Sequence, residues 1–547
     1  MSAPTPSRLL LAILLAWALA TSSLARAQVV TLAEPVAVAD DLATVFEKGS
    51  RLERERRWAE ALTHYEDALR AHPARADLQQ RVQVARAHYD VVRRYGDASF
   101  TKAVATLAER DALAIHDEVL LKIHGNYVHN PRWQQLLYSG LTNLEVALTE
   151  PAFLEKNLPN LPAERLVDLQ RDLRQMVQAR PADERQQALN LVQSIALSLK
   201  QTYGLPPQAT ILEFTSGATA ALDEYSGFLT GSQMDEVFSQ IEGNFVGLGV
   251  ELKTEPAGLL IVSVITGGPA YMGGLRAGER ILAVDGKTTA EVSPDTLADM
   301  LRGNENTQVE VLAQNSAGER RQMRLTRRRV EVPSVEDVKM LDREIGVAYF
   351  KLTSFQKSTS RDVDAALWKL HEQGMRHLVI DLRGNPGGLL KASVDVADKF
   401  VMDGLLVATR GRSPREDFDH RGQVAGTWRV PLVVLIDHDS ASASEIFAGA
   451  IRDHRRGTVV GEKSYGKGSV QGIFPLAAAN VGIRLTTAKW YTPSGQAISG
   501  AGVNPDIVVQ VTNKPVDGAR HLPATEDDPF IRAGLAAARN QQTARRP

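Results

Sequence analysis

The chain of 547 residues contains no cysteine. That absence excludes disulfides, thiolate zinc or iron–sulfur centres, an acylated lipoprotein cysteine and a cysteine nucleophile, so covalent catalysis would need another residue. Neither sign of charge is in surplus: 63 Lys and Arg stand against 65 Asp and Glu, a formal net charge of −2. So balanced a chain has no field to hold nucleic acid or an anionic membrane, and neither is expected as a partner. Beyond the N-terminus no stretch reaches the roughly eighteen apolar residues of a membrane helix. Aromatics are sparse at 6%, but 44% apolar with 23% charged residues is ordinary globular composition and excludes a mainly disordered chain. The length corresponds to three or four domains at about 150 residues each.

Arg8 precedes an apolar run from Leu9 to Ala20, and Ala25-Arg26-Ala27 places small residues before Gln28. This pattern predicts a secretory signal over residues 1–27. A run that short rises only about 18 Å as a helix against a hydrocarbon core of roughly 30 Å, so cleavage is favoured over anchoring. The mature protein is expected to be exported, soluble, and periplasmic or in the cell envelope.

The remainder predicts a multidomain α+β protein. Residues 28–240 form a helical N-terminal region, rich in Ala, Leu, Glu, Arg and Gln at helical spacing. Within it, over about 45–75, Gly49, Ala61, Tyr65, Ala68 and Pro73 fall at the offsets of one tetratricopeptide repeat, without a second copy. An ordinary helix hairpin explains them equally well. Residues 241–331 read as a compact β domain of short glycine-bounded strands with one helical segment, Pro294 to Leu301. Strand-like and helical runs alternate over 332–512, an α/β layer. The tail 513–547, rich in Pro, Asp and Arg, is expected to be a poorly ordered end.

Three segments could carry chemistry. Leu432 to Ile436 is a buried strand that runs through Asp437-His438-Asp439-Ser440-Ala441-Ser442-Ala443-Ser444 into a helix. A serine at such a turn lies near a helix N-terminus, where N–H groups stabilise developing negative charge, although helix capping explains serines there as well. There is no G-x-S-x-G elbow, and His438 and His454, set among Asp and Arg, read as solvated residues rather than as a base. Gly461 to Lys467 nearly matches a phosphate-binding loop but has Gly468 where Ser or Thr should ligate magnesium. Lys467 and Gln471 would share one face of a strand at period 2, so the glutamine could hold the amine. A lysine acts as a base near neutral pH only if burial lowers its pKa by several units. Asp381-Leu-Arg383-Gly384-Asn385-Pro386-Gly387-Gly388 leaves a strand into a glycine turn whose N–H groups could approach a reacting oxygen.

Taken together, DLRGNPGG, SASASEIFAGAI, GEKSYGKGSVQ and TTAKWYTPSGQAISGAGVNPDIVV resemble, in order and spacing, the carboxyl-terminal processing (tail-specific) proteases. The resemblance implies Ser442 as nucleophile, Lys467 as general base and Gln471 as the residue orienting it, with oxyanion donors at Ala443 and Gly388. Phe245 to Val250 with Leu275 to Gly286 is similar to the family's PDZ domain. Gly247, Leu248, Gly249 and Val250 would then bind a C-terminal carboxylate and pair with an extended tail. Leu222 to Thr230 is similar to the lead-in to that domain. The resemblance covers about 220–511 and departs mildly, with Tyr465 for the usual Phe and a more charged Asp437-His438-Asp439. It implies a serine endopeptidase acting on the C-terminal tails of envelope proteins, without cofactor or metal. The helical half is left as a place for an adaptor or self-association.

Two other readings compete. A catalytically silent PDZ and helical scaffold would need neither the serine, the lysine, the glutamine nor the glycine turn. A histidine-dependent metal hydrolase has His116, His124 and His129 near one another in sequence but no H-E-x-x-H pairing.

Overall fold

The computed structural model describes residues 42–255, 258–288, 291–292, 297–298, 300–423, 427–509, 525 and 527–543. The signal at 1–27, half of the segment Pro294 to Leu301 and residues 513–524 of the tail lie outside the described residues. No helix among those described is long and apolar enough to cross a membrane.

Ten helices fill Leu42 to Ala220. The first two, Leu42–Arg54 and Trp58–Ala71, form the hairpin expected at 45–75. Their approach explains the small residue at Gly49, where a Cβ would meet the Tyr65 ring at 2.2 Å. Ala61 and Tyr65 are fully buried, and with Leu78, Val82 and Ala85 of the third helix, Ala76–Gly96, they make a small core of their own. The later helices are not a separate body. Leu476, Val481, Ile483 and Leu485, from a β-hairpin of the following core, pack into the same apolar cluster as the helices. Val128 N–H also donates to Thr486 O at 2.9 Å.

The β domain has strands 250–255, 258–264, 280–284, 308–314 and 320–326 hydrogen-bonded in chain order. Its chain enters through Asn244–Gly247 and leaves through Arg328–Glu331, which pair antiparallel as a two-stranded stalk. At the stalk's foot Gly243 has φ +72°, and a Cβ there would meet Gln356 Oε1 at 2.3 Å.

The α/β core is built on a six-stranded sheet, in the order 335–342, 347–352, 377–381, 432–436, 458–461, 507–508. The first pair is antiparallel and the rest are parallel. Parallel strands are covered on both faces, which is why Leu432–Ile436 is apolar at every position and wholly buried. Helices Thr359–Glu372, Leu390–Asp398 and Ala443–Asp453 cover one face.

The other face is covered by the end of the chain, and here the expected disorder of the tail is wrong for its described part. Pro529–Thr543 is a helix whose Phe530, Ile531, Leu535 and Ala538 pack on Val379, Val433, Leu435 and Val460. A sheet carrying those apolar side chains on its second face cannot remain open to water.

Candidate active site

The strand Leu432–Ile436 ends in a turn organised by Asp437. This buried carboxylate accepts the N–H groups of Gly384, Asp439 and Ser440. Ser440 Oγ donates to Leu382 O at 2.9 Å, and Ser444 Oγ to Asn385 O at 2.9 Å, so both flanking serines are buried and tie the turn to the glycine turn opposite. Ser442 is different: it is half-buried, with φ 55° and ψ −113°. A residue that only caps a helix sits in the extended region, whereas this backbone is strained and held by its surroundings.

What holds it is Glu445, one turn into the helix Ala443–Asp453 and fully buried. Its two oxygens accept Ser442 N–H (2.8 Å), Ser464 Oγ (2.6 Å), Gly466 N–H (2.6 Å) and Lys467 N–H (2.9 Å). One carboxylate thus joins the serine turn to the loop bearing Lys467. The capping-box spacing from Ser442 to Glu445 was its signal in the sequence, but that spacing alone points only to a helix end. Trp490 Nε1 donates to Lys467 O at 3.0 Å, so the lysine backbone is fixed on both sides.

The Lys467 amine lies 4.8 Å from the centre of the Tyr225 ring. Burial, then the neighbouring Arg484, lowers its pKa, while Glu224, Glu445 and Asp223 oppose the shift. Ser442 and Lys467 are not hydrogen-bonded to each other among the described residues. Gln471 corrects the strand-face expectation. Lys467 precedes the strand Ser469–Pro475, and the pairing with Gly482–Tyr491 slips between Val470 and Gln471. The extra residue of that slip, Thr487, belongs to the partner strand, and the period-2 count fails because Lys467 lies two residues ahead of the strand. The Gln471 NH₂ group donates to Ser469 Oγ (2.9 Å) and Thr486 Oγ1 (3.4 Å), and no hydrogen bond from Lys467 to Gln471 Oε1 is found among the described residues.

Across from Ser442, Gly387 and Gly388 have φ +101° and +140°. A Cβ on Gly387 would stand 2.8 Å from both Ala443 N and Ser442 Cβ, and one on Gly388 2.1 Å from Phe355 O. Gly387 N–H is spent on Asn385 Oδ1 at 2.8 Å. The N–H groups of Gly388 and Ala443 have no hydrogen-bond partner among the described residues, which favours Gly388 over its neighbour as a donor. A cleft of about 440 Å³ beside Lys467 is lined by Tyr225, Tyr465, Gly466 and Ser499, and by Arg70 from the second helix of the N-terminal hairpin.

Of the histidines, His438 lines this same cleft, beside Asp439, while His454 and His116 are not among its lining residues. His438 is half-exposed and bonds Glu462, which raises its pKa, and His454 Nε2 contacts Leu405 O at 2.7 Å. His116 is buried against Thr215, with burial pushing its pKa down to about 4. No His, Asp or Glu group among the described residues is gathered as metal ligands would be.

In the β domain, Gly247 pairs with Arg328 in the stalk, and Gly249 has φ +78°. The N–H groups of Leu248 and Gly249 have no partner among the described residues. The side chain of Leu248 is 1% exposed and packs in the domain's core. Val250 opens the edge strand Val250–Glu255, which pairs on one side with Gly258–Val264.

Residues 346–509 match the model of peptidase family S41 and residues 260–315 that of the PDZ domain. A carboxy-terminal-processing protease of Bartonella bacilliformis is 37% identical over 310 residues, covering 55% of this chain and 70% of that protein. A carboxyl-terminal-processing protease of Synechocystis is 38% identical over 301 residues, covering 53% and 69%. Among solved structures, a photosystem II D1 C-terminal processing protease covers 73% of this chain and 93% of its own at 25% identity, with a TM-score of 0.37. The chain belongs to peptidase family S41, as a serine-type protease of the PDZ-containing carboxy-terminal-processing kind.

Proposed function

We propose that Ser442 and Lys467 form the catalytic dyad of an endopeptidase that selects protein substrates by their C-terminal tails. The observation that carries this is the shared Glu445 carboxylate, which binds the backbone of both residues. In the reaction, neutral Lys467 takes the proton of Ser442 Oγ as that oxygen bonds to the scissile carbonyl carbon. The carbonyl oxygen becomes an oxyanion facing the N–H groups of Ala443 and Gly388. The ammonium then returns the proton to the leaving amine, and water, deprotonated by the lysine, releases the acyl group.

In this reading the side chain of Lys467 moves into hydrogen-bond reach of Ser442, and Gln471 is the residue that would orient it there. Tyr225 lies on the segment that continues through Gly227–Leu229 and the helix Gly231–Glu242 into the PDZ stalk. That connection supports the reading that tail binding by Gly247 to Val250 governs the lysine, with the PDZ domain as gate as well as tether. The predicted signal at 1–27 supports export, and hence envelope proteins as substrates. The helical half offers a surface for an adaptor or a second copy.

The test is cleavage of a tailed protein by wild type, Ser442→Ala, Lys467→Ala and Lys467→Arg. Only wild type should cut. Activity retained in Ser442→Ala would overturn the assignment.

A further inference from the structure

The helix Pro529–Thr543 lies beyond the residues that match the peptidase family model, which end at 509. It nevertheless reaches the glycine turn through a buried ion pair. The Arg383 guanidinium uses all three of its nitrogens: Nε and Nη2 bond Asp381 at 2.9 and 2.6 Å, and Nη1 bonds Asp528 Oδ2 at 2.7 Å. Asp528 is 1% exposed, and its other oxygen accepts Phe530 N–H at 2.8 Å, capping the helix whose first residue is Pro529. The Phe530 ring lies against the guanidinium, 4.8 Å from its carbon. Tyr349 OH donates to Asp381 at 2.9 Å from beneath.

Arg383 opens the turn that ends in Gly388. The next residue, Gly384, bonds Asp437 at 3.0 Å. Asn385 bonds Leu352 O through its amide at 2.7 Å, and its own carbonyl accepts Ala441 N–H and Ser444 Oγ on either side of Ser442. The backbone of Arg383 thus leads straight into a turn whose bonds reach both sides of Ser442. Phe530, Ile531 and Leu535 already seat the helix by apolar contact. A second buried carboxylate is a costly way to repeat that, but a specific way to fix the third arm of a guanidinium.

We propose that Asp528 is a positioning residue for the peptidase reaction. By fixing Arg383 from the C-terminal helix it holds the glycine turn where Gly388 N–H meets the oxyanion, so the last helix is part of the catalytic apparatus. This rests on the Ser442 and Gly388 roles proposed above.

The experiment compares full-length wild type, Asp528→Ala, Asp528→Asn and Asp528→Glu in kcat, KM and inhibition by a peptide boronate. The boronate's tetrahedral adduct with a serine places an oxygen at the oxyanion position. Asp528→Ala should lower kcat by about tenfold or more, with KM within about twofold and boronate affinity falling in step with kcat. Asp528→Glu should recover most of the loss. If the alanine variant does not fold, the isosteric asparagine carries the same comparison. The proposal is overturned if kcat stays at the wild-type level. It is equally overturned if kcat falls only with the folded fraction, at unchanged boronate affinity per folded molecule. Ser442→Ala tests the underlying reading separately: if that variant still cleaves and binds boronate, the Ser442 role fails whatever Asp528 does.

Discussion

The Lys467 amine stands 4.8 Å from the centre of the Tyr225 ring, and the two residues lie on opposite sides of the PDZ domain in sequence. Burial and the neighbouring Glu224 hold the Tyr225 phenol neutral well above its ordinary range, so the ring presents an uncharged π face. Such a face favours the ammonium over the amine. Burial and Arg484 favour the amine. Glu224, Glu445 and Asp223 act on the ring's side, so the base of the proposed dyad stands between opposed influences.

Removing the ring should therefore lower the lysine's pKa further. A general base must be deprotonated, so kcat/KM rises with pH through that pKa. In Tyr225→Leu the acidic limb should move to lower pH by about half a unit, from roughly 0.5–1 kcal/mol of cation–π attraction. Tyr225→Phe should leave it in place. A limb that stays, or moves upward, in the leucine variant would show that the ring does not govern the base.

Lys467→Arg should abolish turnover as fully as Lys467→Ala, because a guanidinium stays protonated at any workable pH. His438→Ala and His454→Ala should keep activity within about threefold, the range of surface substitutions. Steady-state kinetics on one peptide decide this, and a histidine variant as inactive as the lysine variants would displace Lys467 from the role.

Glu445→Gln keeps the shape but turns an NH₂ group toward N–H donors that now face a carboxylate oxygen. Leaving buried donors unmatched should cost about 2–4 kcal/mol of stability. It should also lower kcat/KM by about a hundredfold by loosening Ser442 from Lys467. Chemical denaturation and kinetics on the folded fraction measure the two effects, and wild-type kcat/KM in that fraction would remove Glu445 from the argument.

The PDZ reading predicts that tails ending in Ala, Val or Leu are cut faster at low substrate concentration than the same tail amidated or ending in Asp. An Asp side chain buried against the apolar residues of this domain would be an unpaired charge. Deleting residues 245–329 should slow cleavage of tailed proteins far more than of short unstructured peptides. Equal rates for all three tails would mean that this domain does not read termini.

Much of this site was legible in the sequence because its parts are local. The apolar run Leu432–Ile436, the serine cluster after it and the glycines after Asp381 each form one strand and one turn, and strand and turn chemistry can be read within ten residues. The contacts that join those parts are not local. Arg383 and Asp528 are 145 residues apart, and nothing near either names the other. The final helix did carry its own signals, with Asp528-Pro529 as a start and Phe530, Ile531, Leu535 and Ala538 at helical spacing, but the polar stretch before it masked them. Gln471 was misplaced for a different reason: alternation holds only within a strand, and the strand begins at Ser469, two residues after Lys467.

Ser442 as nucleophile, activated by Lys467, is the assignment on which the proposed function turns. Its most direct test is mass-spectrometric mapping of a fluorophosphonate adduct on the intact protein, with labelling rates compared between wild type and Lys467→Ala. A single adduct on Ser442 is expected, absent in Ser442→Ala and formed far more slowly in Lys467→Ala. An adduct on another serine, or labelling of Ser442 at an equal rate without the lysine, would contradict it.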